Sequence, residues 1–356
     1  MLLKHVKLAR LVMLLVLAVA IAGCSNSKPP KEAVQSALLN TMNLQSYTFA
    51  TTLELEEIEL PQQLAESQDP QVQAMIGMLK NASLTADGVY QADPMRMEMN
   101  LDLVLKGDLS FTVSVPIIAE QDKLWIKIPD IPMLPLEGLS GQYIELDLKQ
   151  LAEQQGVDLP ASDLDGQRQM VQDMMGIILK HFDGKQFFSE TKASEAEGLP
   201  SDVKPDQIVK FSITQDQLDQ VATTAVEQIA PEIIDLLLNN EQYRQSLQLS
   251  AEQLEEAKRE LENTGSEELK AGLEKFKEQV NINDLSLIGA IKDNYLVYQL
   301  LKLNVDITDQ GQTSTIGLKL KSQYGNINEK VEFKQPIPTE AITIDQLMAL
   351  LGSGSL

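Results

Sequence analysis

The sequence predicts an α+β fold built on a large antiparallel sheet. Three features carry that expectation. Runs with apolar side chains at every second position dominate both ends of the chain, several turns between them are short enough for hairpins, and no strand-helix-strand alternation appears.

A docking helix opens the domain at 31–44. Ala33, Val34, Ala37, Leu38 and Met42 fall near helical spacing there, behind Pro29 and Pro30, which suit a helix start. The pattern then switches to period two. Tyr47, Phe49, Leu53, Leu55, Ile58 and Leu60 lie among Thr and Glu and predict a long half-buried strand, with a bulge near Glu56 and Glu57. Residues 61–80 read as a partly helical excursion interrupted at Asp69-Pro70, after which strands resume. The sharpest alternation is Met95, Met97, Met99, Leu101, Leu103 and Leu105, with Arg96, Glu98, Asn100 and Asp102 on the other face. Past the turn signal Gly107-Asp108, Leu109, Phe111, Val113 and Val115 complete a hairpin. Strands at 123–128 and 142–148 continue the meander across a Pro- and Gly-rich loop. The stripe Met170, Met174, Ile177 and Ile178 predicts a helix at 167–182 ending at Asp183-Gly184, and one more strand runs near 208–213.

A helical block is expected at 214–280. Its starts carry capping-box patterns, Thr214 to Gln217 and Ser250 to Gln253, with a weaker one from Ser266 to Leu269. Its apolar stripes, such as Leu269, Leu273, Phe276 and Val280, are narrow and acidic residues crowd the rest, so it packs on one side only. Strand patterns return at 283–287, 295–307, 313–324 and 328–334. Pro336 and Pro338 close the sheet, and Thr343 to Gln346 caps a short terminal helix. No repeat of solenoid length stands out.

The N-terminus carries a different signal. Lys4, Lys7 and Arg10 precede an unbroken apolar run from Leu11 to Ala22. As a helix that run rises only about 18 Å against a hydrocarbon core of ~30 Å, so it reads as a cleaved export signal and not a span. It ends in Ile21-Ala22-Gly23-Cys24, which resembles the lipobox of bacterial lipoprotein precursors, and a polar tether, Ser25 to Pro30, follows. Cys24 is the single cysteine, so no disulfide competes for its sulfur. The resemblance implies lipidation of Cys24 and a location at the cell membrane on its extracytoplasmic side, since two acyl chains anchor stably where one does not. The expected organisation is a signal peptide at 1–23, a lipidated tether at 24–30, a single domain at 31–350 containing the helical block 214–280, and a flexible tail at 351–356.

Charge narrows the partners. The chain carries −23, and removing three cations with the signal takes the mature part to −26. Such a surface repels nucleic acid, and Lys and Arg are scattered along the chain, so no nucleic-acid partner is expected. Hydrophobic content of 43% with only 4% aromatic rests the core on Leu, Ile, Val, Met and Ala.

The order of certain pieces is similar to the LolA-like superfamily, including lipoproteins of the LppX and LprG type. They are Asn43-Leu44-Gln45-Ser46-Tyr47 running from helix into strand, Ala92-Asp93-Pro94 before an alternating strand, Asp122 to Lys127, and Gly141 to Leu146. The resemblance covers about 31–148, with a looser echo after Asn283. It implies a strongly curved sheet, a half-barrel, whose concave face is closed by helices and holds acyl chains.

Catalytic signals are missing. Outside the signal peptide His181 is the only histidine, and no G-x-S-x-G elbow, P-loop or dinucleotide fingerprint occurs. Asp163-Leu164-Asp165-Gly166 lacks the first and last ligands of a calcium loop, having Ala161 and Gln172 there. Thioethers at Met95, Met97 and Met99 suit Cu(I), yet alternate strand positions lie ~7 Å apart, too far for three to share one ion. No cofactor or metal is expected, and no enzyme. The leading expectation is a lipoprotein that binds a lipid or other amphiphile for transport, presentation or sensing, with Met97, Met99, Leu101, Leu103, Phe111 and Val113 as cavity walls. The alternative is an envelope scaffold that binds a protein partner through its acidic helical block.

Overall fold

The computed structural model describes residues 28–59, 77, 82–105, 111–131, 138–155, 164–263 and 266–352. The expected export signal, Cys24 and the rest of the expected tether before Lys28 lie outside the described residues, as do most of the expected excursion at 61–80 and the expected Gly107-Asp108 turn. No helix among the described residues is long and apolar enough to cross a membrane.

Among the described residues twelve strands form one open, mostly antiparallel sheet in the order β12-β6-β5-β4-β3-β2-β1-β11-β10-β9-β8-β7. The N-terminal meander comprises β1 (Ser46–Glu59), β2 (Ser83–Gln91), β3 (Arg96–Leu105), β4 (Phe111–Glu120), β5 (Lys123–Lys127) and β6 (Tyr143–Asp147). The C-terminal meander comprises β7 (Phe188–Glu190), β8 (Gln207–Ser212), β9 (Val280–Lys292), β10 (Tyr295–Asp309) and β11 (Gln312–Gly325). Pairing of β1 with β11 joins the two halves into one sheet, and the register slips between Leu55 and Glu57, where a bulge was expected. Tight turns follow the residues that tolerate positive φ: Asp293 and Asn294 between β9 and β10, and Gln310 and Gly311 between β10 and β11.

The helices are α1 (Pro30–Met42), α2 (Leu148–Gln155), α3 (Leu164–His181), α4 (Leu218–Thr224), α5 (Ala230–Asn239), α6 (Glu241–Ser246), α7 (Ala251–Asn263), α8 (Ser266–Gln279) and α9 (Ile344–Gly352). A π turn at Ala225–Ile229 links α4 to α5. Pro231 explains it, because its ring crowds the carbonyl one turn back and its nitrogen donates no hydrogen bond, so the helix widens. Ser250 and Gln253 form the expected reciprocal cap of α7, backbone to side chain at 2.9 and 3.1 Å. Thr343 and Gln346 repeat it at α9, at 2.9 and 3.2 Å.

The C-terminal half of the sheet is covered on both faces. Ala33 and Ala37 of α1 pack with Phe182, Phe187, Phe188, Val209, Ile291 and Leu296 on one side. On the other, Ile288, Ala290, Tyr298 and Leu300 lie under Ala196, Leu199 and Val203 of the irregular segment 191–206. That segment is bolted down by charge. Lys319 is only 6% exposed, and its ammonium pairs with Glu56 and, at 3.1 Å, with Glu197. A satellite core of Met170, Ile234, Leu237, Tyr243 and Leu254 holds α3, α5, α6 and α7 together.

One expected strand is replaced by something else. Residues 328–334 show no strand and instead belong to an irregular strap, 326–341, from β11 to β12 (Ile342–Thr343), which pairs in parallel with β6. The reason is topological. Both edges of β11 are already taken, by β1 and β10, so no free edge remains beside it. The strap lies against Glu98 of β3, a buried carboxylate that accepts the backbone N–H groups of Lys334 at 2.7 Å and Gln335 at 3.0 Å. Arg96 completes the latch, donating to Glu98 at 2.9 Å and to the Gln335 carbonyl at 2.6 Å while stacking over Phe333. Sequence reasoning also left out α2 and the three-residue β7, both too short to show a period.

Candidate functional site

The register sorts the sheet into two chemically distinct faces. Opposed residues in antiparallel pairs share a face, so Phe49 of β1, Gly88 of β2, Met99 of β3 and Ile117 of β4 lie on one side in a row. The next row is Ser322 of β11, Thr51, Ala86, Leu101 and Val115, and the one beyond it is Leu53, Leu84, Leu103 and Val113, extended through Leu320 of β11, Leu301 of β10 and Leu287 of β9. Ile126 and Leu124 of β5 carry the apolar surface on to Ile144 and Leu146 of β6. The opposite face is polar along β3, with Arg96, Glu98, Asn100 and Asp102.

All six sequence-predicted wall residues fall on the apolar face. Met97, Met99, Leu101 and Leu103 alternate along β3, Val113 opposes Leu103, and Phe111 opposes Leu105. None is fully buried. Leu103 is 37% exposed and its neighbour across two strands, Leu53, 38%. The large buried side chains of this half of the sheet, Ile118 and Trp125, sit on the other face, and of the apolar face only the small Ala119 is buried. The apolar face of β1–β6 is thus a large, incompletely covered surface, the reverse of an ordinary core.

At one end this face turns aromatic. Tyr47 lies with ring centroids 5.1 Å from Tyr90, 5.5 Å from Tyr324 and 6.1 Å from Phe49. Burial pushes the Tyr47 hydroxyl up to about 12, with Tyr324 and Tyr90 adding to the shift, and burial also raises Tyr324. Leu38, Thr41 and Met42 of α1 and Gln167, Arg168, Val171 and Met175 of α3 stand over this cluster. With Tyr47, Tyr90 and Tyr324 they line an open cavity of about 610 Å³. The volume lies within the ~300–1,000 Å³ of small-molecule sites. Val171 stands 44% exposed at the cavity wall.

The cavity residues were only partly legible in the sequence. Tyr47, Phe49 and Met95 stood out through alternation and Leu38 and Met42 through helical spacing, whereas the meeting of Tyr90, Tyr324 and Val171 depends on pairings among distant segments. Met95 lies in the turn before β3 and reaches the cavity, so the three methionines do not share one strand face. His181 ends α3 as expected, with Nδ1 at 2.8 Å from Gln228 Oε1 and Nε2 at 3.0 Å from Glu232 Oε1. Its partners make it a helix-to-helix tie. Among the described residues no group of three His, Cys, Asp or Glu side chains is placed to hold a metal.

No protein-family model matches the chain, and no match was found among curated proteins.

Proposed function

We propose that this chain is a lipoprotein held by lipid on Cys24 at the extracytoplasmic side of the cell membrane, where it binds an amphiphile and performs no catalysis. The sheet would then be the half-barrel of a LolA-like domain, its apolar face taking the acyl part of the ligand and the aromatic cavity forming one end of the path. The observation that carries the reading is the row Leu53, Leu84, Leu103 and Val113, apolar across four strands yet half open. A soluble domain leaves such a surface uncovered only at a cost, and each methylene of a ligand buried there contributes ~0.8 kcal/mol.

Native mass spectrometry with lipid extraction, on protein purified gently from its own host, tests it. Beyond the lipid joined covalently to Cys24, a stoichiometric extractable lipid is expected with the wild type and none with Leu103→Asp, whose melting temperature should change little because Leu103 is already 37% exposed. A clean apo mass that persists after offering phospholipids and fatty acids sinks the reading. That outcome would favour a scaffold role through the acidic helical block, where Phe276 of α8 stands 42% exposed.

A further inference from the structure

Lysines scattered through the sequence meet at one end of the fold. Lys28 and Lys31 lie before and at the start of α1, Lys185 lies in the turn after α3, Lys192 and Lys204 lie in the segment after β7, and Lys292 precedes the β9–β10 turn. Short contacts tie these places together. The Lys28 ammonium donates to Asn294 Oδ1 at 3.2 Å, and its carbonyl accepts from Gln207 Nε2 at 3.0 Å. Lys31 donates to the Phe182 carbonyl at 2.7 Å and packs against Gly184. The Asp293 N–H donates to the Asp206 carboxylate at 2.8 Å, and Lys28, Thr191, Lys204 and Asn294 share the walls of one cleft of about 1030 Å³.

Lysines elsewhere are of two kinds: Lys127, Lys149, Lys275, Lys330 and Lys334 make no carboxylate ion pair among the described residues, and eight others do, Lys123, Lys180, Lys258, Lys277, Lys302 and Lys319 among them. Among the described residues no carboxylate ion pair engages any of the six at this end. The acids beside them are Glu32, Asp183, Glu190, Asp206 and Asp293, and three are already engaged by neutral donors. Asp183 takes the N–H groups of Lys185 and Gln186, which hold its carboxyl below the usual range, Asp206 takes that of Asp293, and Glu190 takes the Gln207 amide. In a chain of net charge −23 this end carries six lysines beside five acids, and Lys185, Lys192, Lys204 and Lys292 are exposed there, while the Lys28 and Lys31 ammonium groups are held by neutral acceptors.

We infer that this end is the membrane-facing surface of the domain and that its lysines rest on anionic lipid headgroups. The inference depends on the reading that Cys24 carries the lipid. Four residue steps from Cys24 to Lys28 reach at most about 14 Å, which holds the lysine end within little more than the ~8–10 Å screening length of the bilayer surface. The acidic remainder of the surface is repelled from anionic headgroups, whereas each lysine near them favours contact by about fivefold in affinity. The short tether and the charge therefore select the same orientation.

Lysine acylation of the full lipidated protein, read by mass spectrometry, tests this in phosphatidylcholine vesicles containing phosphatidylglycerol, against the same protein in neutral detergent. Lys185, Lys192, Lys204 and Lys292 should react severalfold more slowly on the vesicles, while the exposed Lys149 and Lys275 keep their rates. The doubly reversed variant, Lys192→Glu with Lys204→Glu, should lose the protection at Lys185 and Lys292. Vesicle flotation of the wild type and of Cys24→Ser separates the two ways of failing. If the wild type floats with lipid on Cys24 and the four lysines stay fully reactive, or Lys275 is protected in their place, the orientation is wrong and the anchor stands. If Cys24 carries no lipid and the wild type does not float, the anchor and the orientation fall together.

Discussion

At the scale of single residues, Gly88 shows how closely the apolar face is built. It stands between Phe49 and Met99 in the cross-strand row, and a Cβ there would lie 2.1 Å from the Glu98 carbonyl oxygen and 3.0 Å from the tip of the Phe49 ring. The neighbouring carbonyl belongs to the β2–β3 ladder and cannot move aside without loss of pairing. The absence of a side chain also leaves room for the Phe49 ring on the face. Gly88→Ala is therefore expected to destabilise the protein by about 2 kcal/mol through overpacking, read as a lower denaturation midpoint at unchanged slope. An unchanged midpoint would mean that the two strands do not approach this closely. The same substitution at Gly272, where nothing lies within 4 Å of the added carbon, is the matched control.

At the scale of elements, the strap over β3 makes a sharper demand on one side chain. Glu98 is 5% exposed and accepts three charge-assisted or backbone hydrogen bonds, two of them from the strap itself. Glu98→Ala removes the two oxygens that accept these three bonds and leaves the Arg96 guanidinium without its ionic partner, a loss of about 3 kcal/mol. Hydrogen exchange is expected to accelerate at the Lys334 and Gln335 amides before it does so in β3 or β4. Equal acceleration throughout would show that the strap is part of the cooperative sheet and not a latch laid upon it. The strap also marks where sequence reading stops. The helix at 31–44, the long bulged strand after it, the β3–β4 hairpin and the caps at Ser250 and Thr343 were legible because each is fixed by neighbours a few residues apart. Residues 328–334 carry a strand-like alternation of their own, but whether a segment becomes a strand depends on a vacant edge, which is a property of the assembled sheet. The lysine end was invisible for the same reason, since its members are separated by up to 264 positions between Lys28 and Lys292 and meet only through the fold. Of the candidate site, the six apolar residues of β3 and β4 were found by period alone, while the half-open state of their face and the tyrosine cluster beside it belong to tertiary structure.

At the scale of the whole molecule, pH links ionic and aromatic elements that the sheet holds far apart in sequence. Burial pushes Tyr47 up to about 12, burial with the Asp173 carboxylate beside it does the same to Tyr243, and burial with Glu197 and Glu54 nearby does it to Tyr298. Each folded value is raised above the unfolded value near 10, so these groups contribute stability that is complete below pH ~10 and lost as pH rises toward 12. Lys319 acts in the same direction. Its burial alone would lower it, but Glu56 and Glu197 outweigh burial and leave it raised. The acid limb has the opposite sign. Hydrogen bonds from Lys319 hold Glu197 down, those from Lys180 and His181 hold Glu232 down, and Asn283, Thr315 and Asn281 hold Asp306 down, so their contributions are present above the unfolded carboxylate values near 4 and vanish as pH falls through the lower folded ones. Stability should therefore form a plateau from about pH 5 to 9, with a fall below pH ~4 and a second fall between pH ~10 and 12. Urea melts followed by the fluorescence of Trp125 in the N-terminal meander, and by far-ultraviolet circular dichroism for the whole chain, measure it across this range. Because β1 pairs with β11 along eleven residue positions, the two probes should give one midpoint at neutral pH. At alkaline pH Trp125 should hold out no longer than the remainder, since Tyr47 lies on β1 at the junction of the two halves and its ionisation loosens both. Separate midpoints at pH 7 would divide the sheet into two independent units, and a plateau extending past pH 12 would mean that the tyrosines are less buried than their packing indicates.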